Sequence, residues 1–220
     1  MVEFKKVKEN PHILEFIRKS EIALKRQGYT NHGILHVQFV ADRAKKLAKE
    51  IGLSRKEQEM AQISGFCHDM GNFLSRSHHH YLGAVLFYEV FKEKFKIGPL
   101  TTIMQAICAH DKPEMAIPSP VAAVLILADK SDVRRERVYP KSLKEIMRDI
   151  HDRVNYGAYW TKLIFEKSKK KITLKLKIDT KFVPIMEYFE IFTNRMVYCR
   201  KAAKFLGYKF SLEINNFKLL

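Results

Sequence analysis

Up to about residue 150 the apolar positions recur at spacings of three and four, and beyond residue 155 they recur at every second position. The first pattern predicts helix after helix and the second predicts strands. Asn10 before Pro11 opens a helix that Gly28 closes, and a second helix runs from about His32 to Gly52. Ser54 to Glu57 and Ser142 to Glu145 spell capping boxes, in which serine and glutamate each satisfy an amide of the other's segment. Ser77 is placed to cap a long helix ending at Gly98-Pro99, and Pro120 to start a short apolar one. In "ITLKLKID", residues 172–179, apolar residues alternate with lysine or threonine, as in a half-exposed strand. "YWTKLIF" before the "EKSKKK" turn is its hairpin partner, a helix follows from about Pro184 to Leu206, and "YKFSLEI" is a third strand. The expected fold is mostly α: an all-helical domain with an N-terminal helix over residues 1–153, then a small α+β unit over 154–220 with about three antiparallel strands and one helix.

Composition narrows the class. At 220 residues and 46% hydrophobic, the chain can bury a good-sized core. No segment reaches the ~18 uninterrupted apolar residues that a membrane span needs, and charges interrupt every apolar run of the N-terminus, so a cytoplasmic protein is expected. Cys67, Cys108 and Cys199 are odd in number, far apart and in apolar surroundings, which suits reduced core thiols. The net charge of +16 attracts polyanions without naming one. Because aromatic and basic residues do not alternate along the chain, a solvated lysine-rich surface with an anionic small substrate is preferred to a nucleic-acid groove.

"ISGFCHDMGNF", residues 63–73, places His68 and Asp69 inside an apolar run, where burying both is unfavourable unless each finds a partner. His36 lies on the stripe continued by Val40, Ala44, Leu47 and Ile51, so it faces inward. Alone it would read as a core histidine bonded to a carbonyl. Asp129 shares a stripe with Val121 and Leu125 near a helix C-terminus, where desolvation and the helix dipole both oppose its charge. A cation answers that opposition, and an ion pair with Lys130 or Arg134 is the plainer alternative. The run His78-His79-His80 and His110 supply further imidazoles, each readable alone as a helix end.

Taken in order, His36, His68-Asp69, the histidine run, His110 and Asp129 resemble the HD-domain superfamily of metal-dependent phosphohydrolases. "HVQFVADRA" looks like its His-x-x-x-Val-Ala helix, "CHDMGN" like its His-Asp-(Ile/Met)-Gly signature, and "ILADKSDVRRERV" like its Ala-Asp-Lys helix. The resemblance covers about residues 30 to 137 and implies a helical bundle. It implies that His36, His68, Asp69 and Asp129 bind a first metal, and that His79 and His110 join a second with Asp69 as the bridge. The spacing His-x-x-x-Gly-Ala before Gly83-Ala84 selects His79, with His80 as second choice. One or two divalent ions are implied, and this ligand set suits Mn, Fe, Ni, Co or Mg. The implied reaction is attack of metal-bound water on a phosphate ester, expected to be that of a nucleotide. Asp69 orients that water, while Lys130, Arg134, Arg135 and His32 are candidates to meet the substrate. Asn72 stands where many members carry lysine, and "DKPEMA" after His110 lacks Gly-Tyr-Pro, which speaks against cyclic-di-GMP as substrate.

Two other readings remain open. Some members of the family use a similar shell for a diiron oxygenase, and the basic surface suits a nucleic-acid-binding or regulatory module with a structural metal. The dipeptide His151-Asp152 is expected to lie outside the site. The C-terminal unit, which the resemblance does not cover, is expected to buttress the helical domain or to mediate a homodimer through a helix apolar at Met186, Phe189, Met196, Val197, Cys199 and Leu206. Its other face, with Lys171, Lys175 and Lys177, should meet water.

Overall fold

The computed structural model describes residues 3–112 and 114–219. Two compact units divide the chain: residues 1–28 with 32–129, and residues 29–31 with 130–220. The division falls earlier than the 153/154 boundary expected from the change of period.

The first unit is helical: α1 (Phe4–Lys8), α2 (Pro11–Arg26), α3 (Ile34–Glu50), α4 (Arg55–Cys67), α5 (His79–Phe91), α6 (Ile97–Ala109) and α7 (Pro120–Lys130), which runs up to the division. The Asn10 side chain accepts hydrogen bonds from the amides of His12 and Ile13 and so caps α2. The capping box of α4 forms in full between Ser54 and Glu57. Helix α3 buries His36, Val37, Val40, Ala41, Ala44, Leu47 and Ala48, the inward stripe with its histidine. It lies along α4. Gly65 is what allows that approach, because a Cβ there would stand 2.8 Å from the Ala41 Cα and 2.9 Å from its nitrogen. Every residue of α7 from Val121 on is buried, as expected of a helix apolar nearly all round.

One helix differs from expectation. No long helix runs from Ser77 to Gly98; α5 starts at His79, with His78 in the cap position, and ends at Phe91. Gly98 and Pro99 lie in the first turn of α6. Amides of a first turn have no partner within the helix, so the missing N–H of proline is harmless there.

The second unit holds a 3-10 turn (Arg135–Arg137), α8 (Leu143–Ile146), α9 (Ile150–Gly157), β1 (Ala158–Glu166), β2 (Lys171–Ile178), α10 (Ile185–Phe205), β3 (Lys209–Ile214) and β4 (Phe217–Lys218). The capping box of α8 forms between Ser142 and Glu145. Helix α9 packs on the 3-10 turn, on α10 and on β1, which assigns these helices to the second unit. The sheet order is β1-β2-β3-β4. β1 and β2 form the expected antiparallel hairpin, but β2 and β3 pair in parallel, so the sheet is mixed. The reason is α10, which carries the chain back between the two strands as the crossover that parallel neighbours need. Asn215 and Asn216, both at positive φ, then turn the chain into the fourth strand.

The alternation of β2 does set its faces: Ile172, Leu174, Leu176 and Ile178 are buried. Helix α10 covers β3 with a stripe that includes Tyr188, Phe192, Met196, Cys199 and Ala203. Met186 and Val197, expected on the apolar side, are exposed. On the lysine face Thr173 is buried, whereas Lys177 is open to water and Lys171 and Lys175 are half-buried. Among the described residues no helix is long and apolar enough to cross a membrane.

Candidate metal centre

Six side chains named from the sequence converge inside the first unit. His36 comes from α3, His68 and Asp69 from the end of α4 and the turn after it, His79 from the start of α5, His110 from the end of α6, and Asp129 from the last turn of α7. All are at most 7% exposed. Asp69 divides its oxygens. Its Oδ2 stands 3.5 Å from His36 Nε2 and 3.2 Å from His68 Nε2, while its Oδ1 stands 3.4 Å from His79 Nε2 and 3.8 Å from His110 Nε2. Asp129 joins the first group, with Oδ1 at 3.5 Å from His36 Nε2 and 3.6 Å from His68 Nε2. Ligand atoms of His36, His68 and Asp69, of His68, His110 and Asp129, and of Asp69, His79 and His110 each lie within 4.8 Å of one another.

Local bonding decides which nitrogen each ring presents. The Nδ1 atoms of His68, His79 and His110 lie 2.8, 2.7 and 2.7 Å from the carbonyl oxygens of Gly65, Arg76 and Ile107, each three residues earlier. A carbonyl can only accept, so each Nδ1 carries a proton and each Nε2 is the nitrogen left to face the centre. Metal-ligating histidines are oriented in this way. The fully buried Nε2 of His68 has no hydrogen-bond partner, and the Nε2 atoms of His79 and His110 face one another at 3.1 Å. Two lone pairs that close repel unless a proton or a cation lies between them. Four imidazoles and two carboxylates, with nitrogen and oxygen donors converging, fit one or two divalent transition ions.

The electrostatics point the same way. Burial opposes charge on His68, but Asp69 and Asp129 outweigh it and hold its pKa at about 10. Burial likewise opposes charge on Asp69, and the facing imidazoles, His68 foremost, nevertheless keep its carboxyl well below the usual range. Burial and the neighbouring His110 push His79 down to about 3. In the metal-free protein a proton on His68 therefore does the work of a cation at the first position, while the second position stays neutral on His79.

Two glycines hold the parts in place. Beside Gly65 at the α3–α4 crossing, Gly71 lets the His-Asp turn lie against the start of α5: a Cβ there would collide with the His79 carbonyl oxygen and stand 2.7 Å from the Gly83 nitrogen. The buried Ser20 of α2 pins the same turn, donating to the Met70 carbonyl and accepting from the Phe73 amide.

His32 packs beside the site, its ring 5.5 Å from that of His36. His80, the second choice within the triplet, is buried with its ring 6.5 Å from His110, behind His79. In the second unit, Arg134 is paired with Asp132 at 2.6 Å. Arg135 donates to the Tyr156 carbonyl and lies over the rings of Tyr156 and Tyr159. Lys130, the last residue of α7, is 8% exposed. His151 is exposed, and Asp152 is buried in an ion pair with Lys141.

Three neighbours of the centre were not singled out as site residues by the sequence. Asn72 donates to the Asp69 carbonyl and to its Oδ1, at 2.9 and 3.0 Å. Arg76 donates to Asn72 Oδ1 at 3.1 Å and brings the same nitrogen within 3.3 Å of His79 Nδ1. Asp111 places Oδ2 3.8 Å from His79 Nε2, with its side chain about a third exposed. The segment from His68 to His78 is a series of turns, so no period betrays Asn72 or Arg76; Asp111 had only its adjacency to His110 as a signal.

Residues 33–134 match the family model described as HD domain, and this segment of the chain is an HD domain. The matched residues contain all six side chains of the centre. The chain is also similar to the uncharacterized protein MJ1020 of Methanocaldococcus jannaschii, 26% identical over 152 residues, which cover 59% of this chain and 58% of that protein. The match thus spans little more than half of the relative's length.

Proposed function

We propose that the protein is a metal-dependent phosphohydrolase that cleaves a phosphate ester, with a nucleotide as the substrate class. The observation that carries the reading is the division of Asp69, one oxygen toward His36 and His68 and the other toward His79 and His110. That arrangement suits two adjacent cations sharing one carboxylate. Divalent ions held there would supply Lewis acidity toward a phosphoryl oxygen and acidify a water molecule. His36, His68, Asp69 and Asp129 would hold one ion, and Asp69, His79 and His110 the other. Asn72 fixes the rotamer of Asp69 and thus the direction of both its oxygens. Two divalent ions against two carboxylates leave the pocket positive, and Arg76 adds a further charge. Such a pocket favours an anion, and the Arg76 guanidinium has the fork geometry that a phosphoryl group takes. His32, its ring 5.5 Å from that of His36, remains a candidate for the rest of the substrate, whereas Arg134 and Arg135 are engaged within the second unit.

Elemental analysis followed by a panel of phosphomonoesters and phosphodiesters tests the proposal. Bound divalent metal at one or two per chain, with metal-dependent release of phosphate or alcohol, is the expected result. A protein that retains iron, absorbs in the visible and consumes oxygen without hydrolysing any ester would instead be an oxygenase.

A further inference from the structure

We propose that the lysine face of the C-terminal sheet binds single-stranded nucleic acid, with Trp160 as a stacking surface for a base. The charge of the chain is unevenly placed. Residues 130–220 carry 22 basic against 10 acidic residues, so +12 of the net +16 lies in this unit. Within it the strand register collects lysines on one face. Lys162 of β1 stands directly opposite Lys175 of β2, Lys171 opposite Lys209 of β3, and Trp160 opposite Lys177. Like charges directly opposed across strands destabilise a sheet, and opposite charges would have stabilised it at the same positions. On their other sides Lys175 stands opposite Glu213, bonded to it at 2.8 Å, and Lys171 opposite Glu166, which bonds Lys169 at the hairpin, so two acids face five lysines of this array. Such a face is stabilised by a polyanion laid across it.

The aromatic end of the face favours a nucleic acid over other polyanions. Trp160, the single tryptophan of the chain, is 39% exposed, with the Lys162 ammonium 5.2 Å from its ring. It follows an irregularity in the β1–β2 register at Ala158–Trp160, which sets Tyr159, 50% exposed, beside it. The Arg135 guanidinium lies 4.3 Å from the Tyr156 ring and 5.1 Å from that of Tyr159. Exposed aromatic planes next to cations are what sequence-tolerant single-strand sites combine, the rings taking bases and the lysines tracking phosphates. Eight residues of β2 extend ~26 Å, enough for the ~4 nucleotides at the lower end of such sites.

The test titrates the full-length, EDTA-treated protein with a fluorescein-labelled 12-nucleotide RNA and its DNA counterpart, reading anisotropy and tryptophan emission together. Binding should quench Trp160 directly, since no other tryptophan contributes. Trp160→Ala should weaken binding roughly 5- to 100-fold while leaving the salt dependence nearly unchanged, and Trp160→Phe should recover part of the loss. Lys162→Ser with Lys175→Ser should lower the slope of log K against log salt by about 1.4. Trp160 and Lys162 are exposed and Lys175 is half-buried beside Glu213, so unchanged melting temperatures are required to show the variants folded. Wild-type affinity in both the tryptophan and the lysine variants would overturn the proposal. So would oligonucleotide binding without quenching, or binding of phosphatidylserine vesicles in place of the oligonucleotides.

Discussion

The two units of this chain handle polar groups in opposite ways. In the helical unit six ionisable side chains are buried together, three of the histidine rings tied to backbone carbonyls, and charge over the unit is nearly balanced at 18 basic against 14 acidic residues. In the sheet unit the buried acids are paired with neighbouring cations, Asp132 with Arg134 and Asp152 with Lys141, and five lysines lie along one strand face. Burial makes each group of the first unit answer to one or two neighbours at fixed distance. Exposure makes the second unit answer to the summed field and to salt. Perturbing a single atom should therefore matter greatly in the first unit and little in the second.

The largest effect should come from Asp69→Ala, which removes the carboxylate whose two oxygens are divided between the two groups of histidines. Bound metal should fall to near zero and turnover by at least about 1000-fold, with helical circular dichroism retained; full occupancy by elemental analysis would refute the division of Asp69. Gly71→Ala should follow, because the new Cβ has to displace the His79 backbone. We expect a loss of about 1–3 kcal/mol in denaturant unfolding and selective loss of the metal held by His79. His110→Ala should lower metal content from two to one per chain. An unchanged value of one in the wild type would make His79 and His110 substrate-facing groups.

A smaller effect separates the units by pH. His68 has a pKa of about 10 in the metal-free fold against about 6.5 unfolded. Its stabilising proton is fully present below pH ~6.5 and is lost as pH rises through about 10. The melting temperature of EDTA-treated protein should fall over that window. Because metal and proton compete for the same nitrogen, the stabilisation gained on adding metal should grow over it. A flat difference between loaded and metal-free protein would show that His68 is not a ligand. The smallest effect should be that of Ser142→Ala at the capping box of α8, about 1 kcal/mol at most, with metal content unchanged.

How much of this was legible beforehand follows from what each feature depends on. His36, His68, Asp69, His79, His110 and Asp129 could be named because each occupies an inward position of a helix or a recognisable motif, and the structure does bring them together. The caps at Asn10, Ser54 and Ser142 are local chemistry and were readable for that reason. Asn72 and Arg76 sit in successive turns, where spacing carries no direction. The parallel pairing of β2 with β3 depends on the path of α10, whereas alternation reports only which side of a strand is apolar. Lys162 opposite Lys175 depends on register, which no single strand contains. The division at 129/130 was hidden because α7 passes up to it without a break.

His68 and His110 are also the residues at which α4 and α6 end, and their Nδ1 protons go to the Gly65 and Ile107 carbonyls of the last turns. Closing the helix and choosing the ligand atom are thus a single act by a single proton. Inserting one residue within α4 would turn its far end by about 100°, carrying the histidine away from the centre even with every ligand still present in the chain. Within this fold, the length of α4 is part of the metal's coordination chemistry.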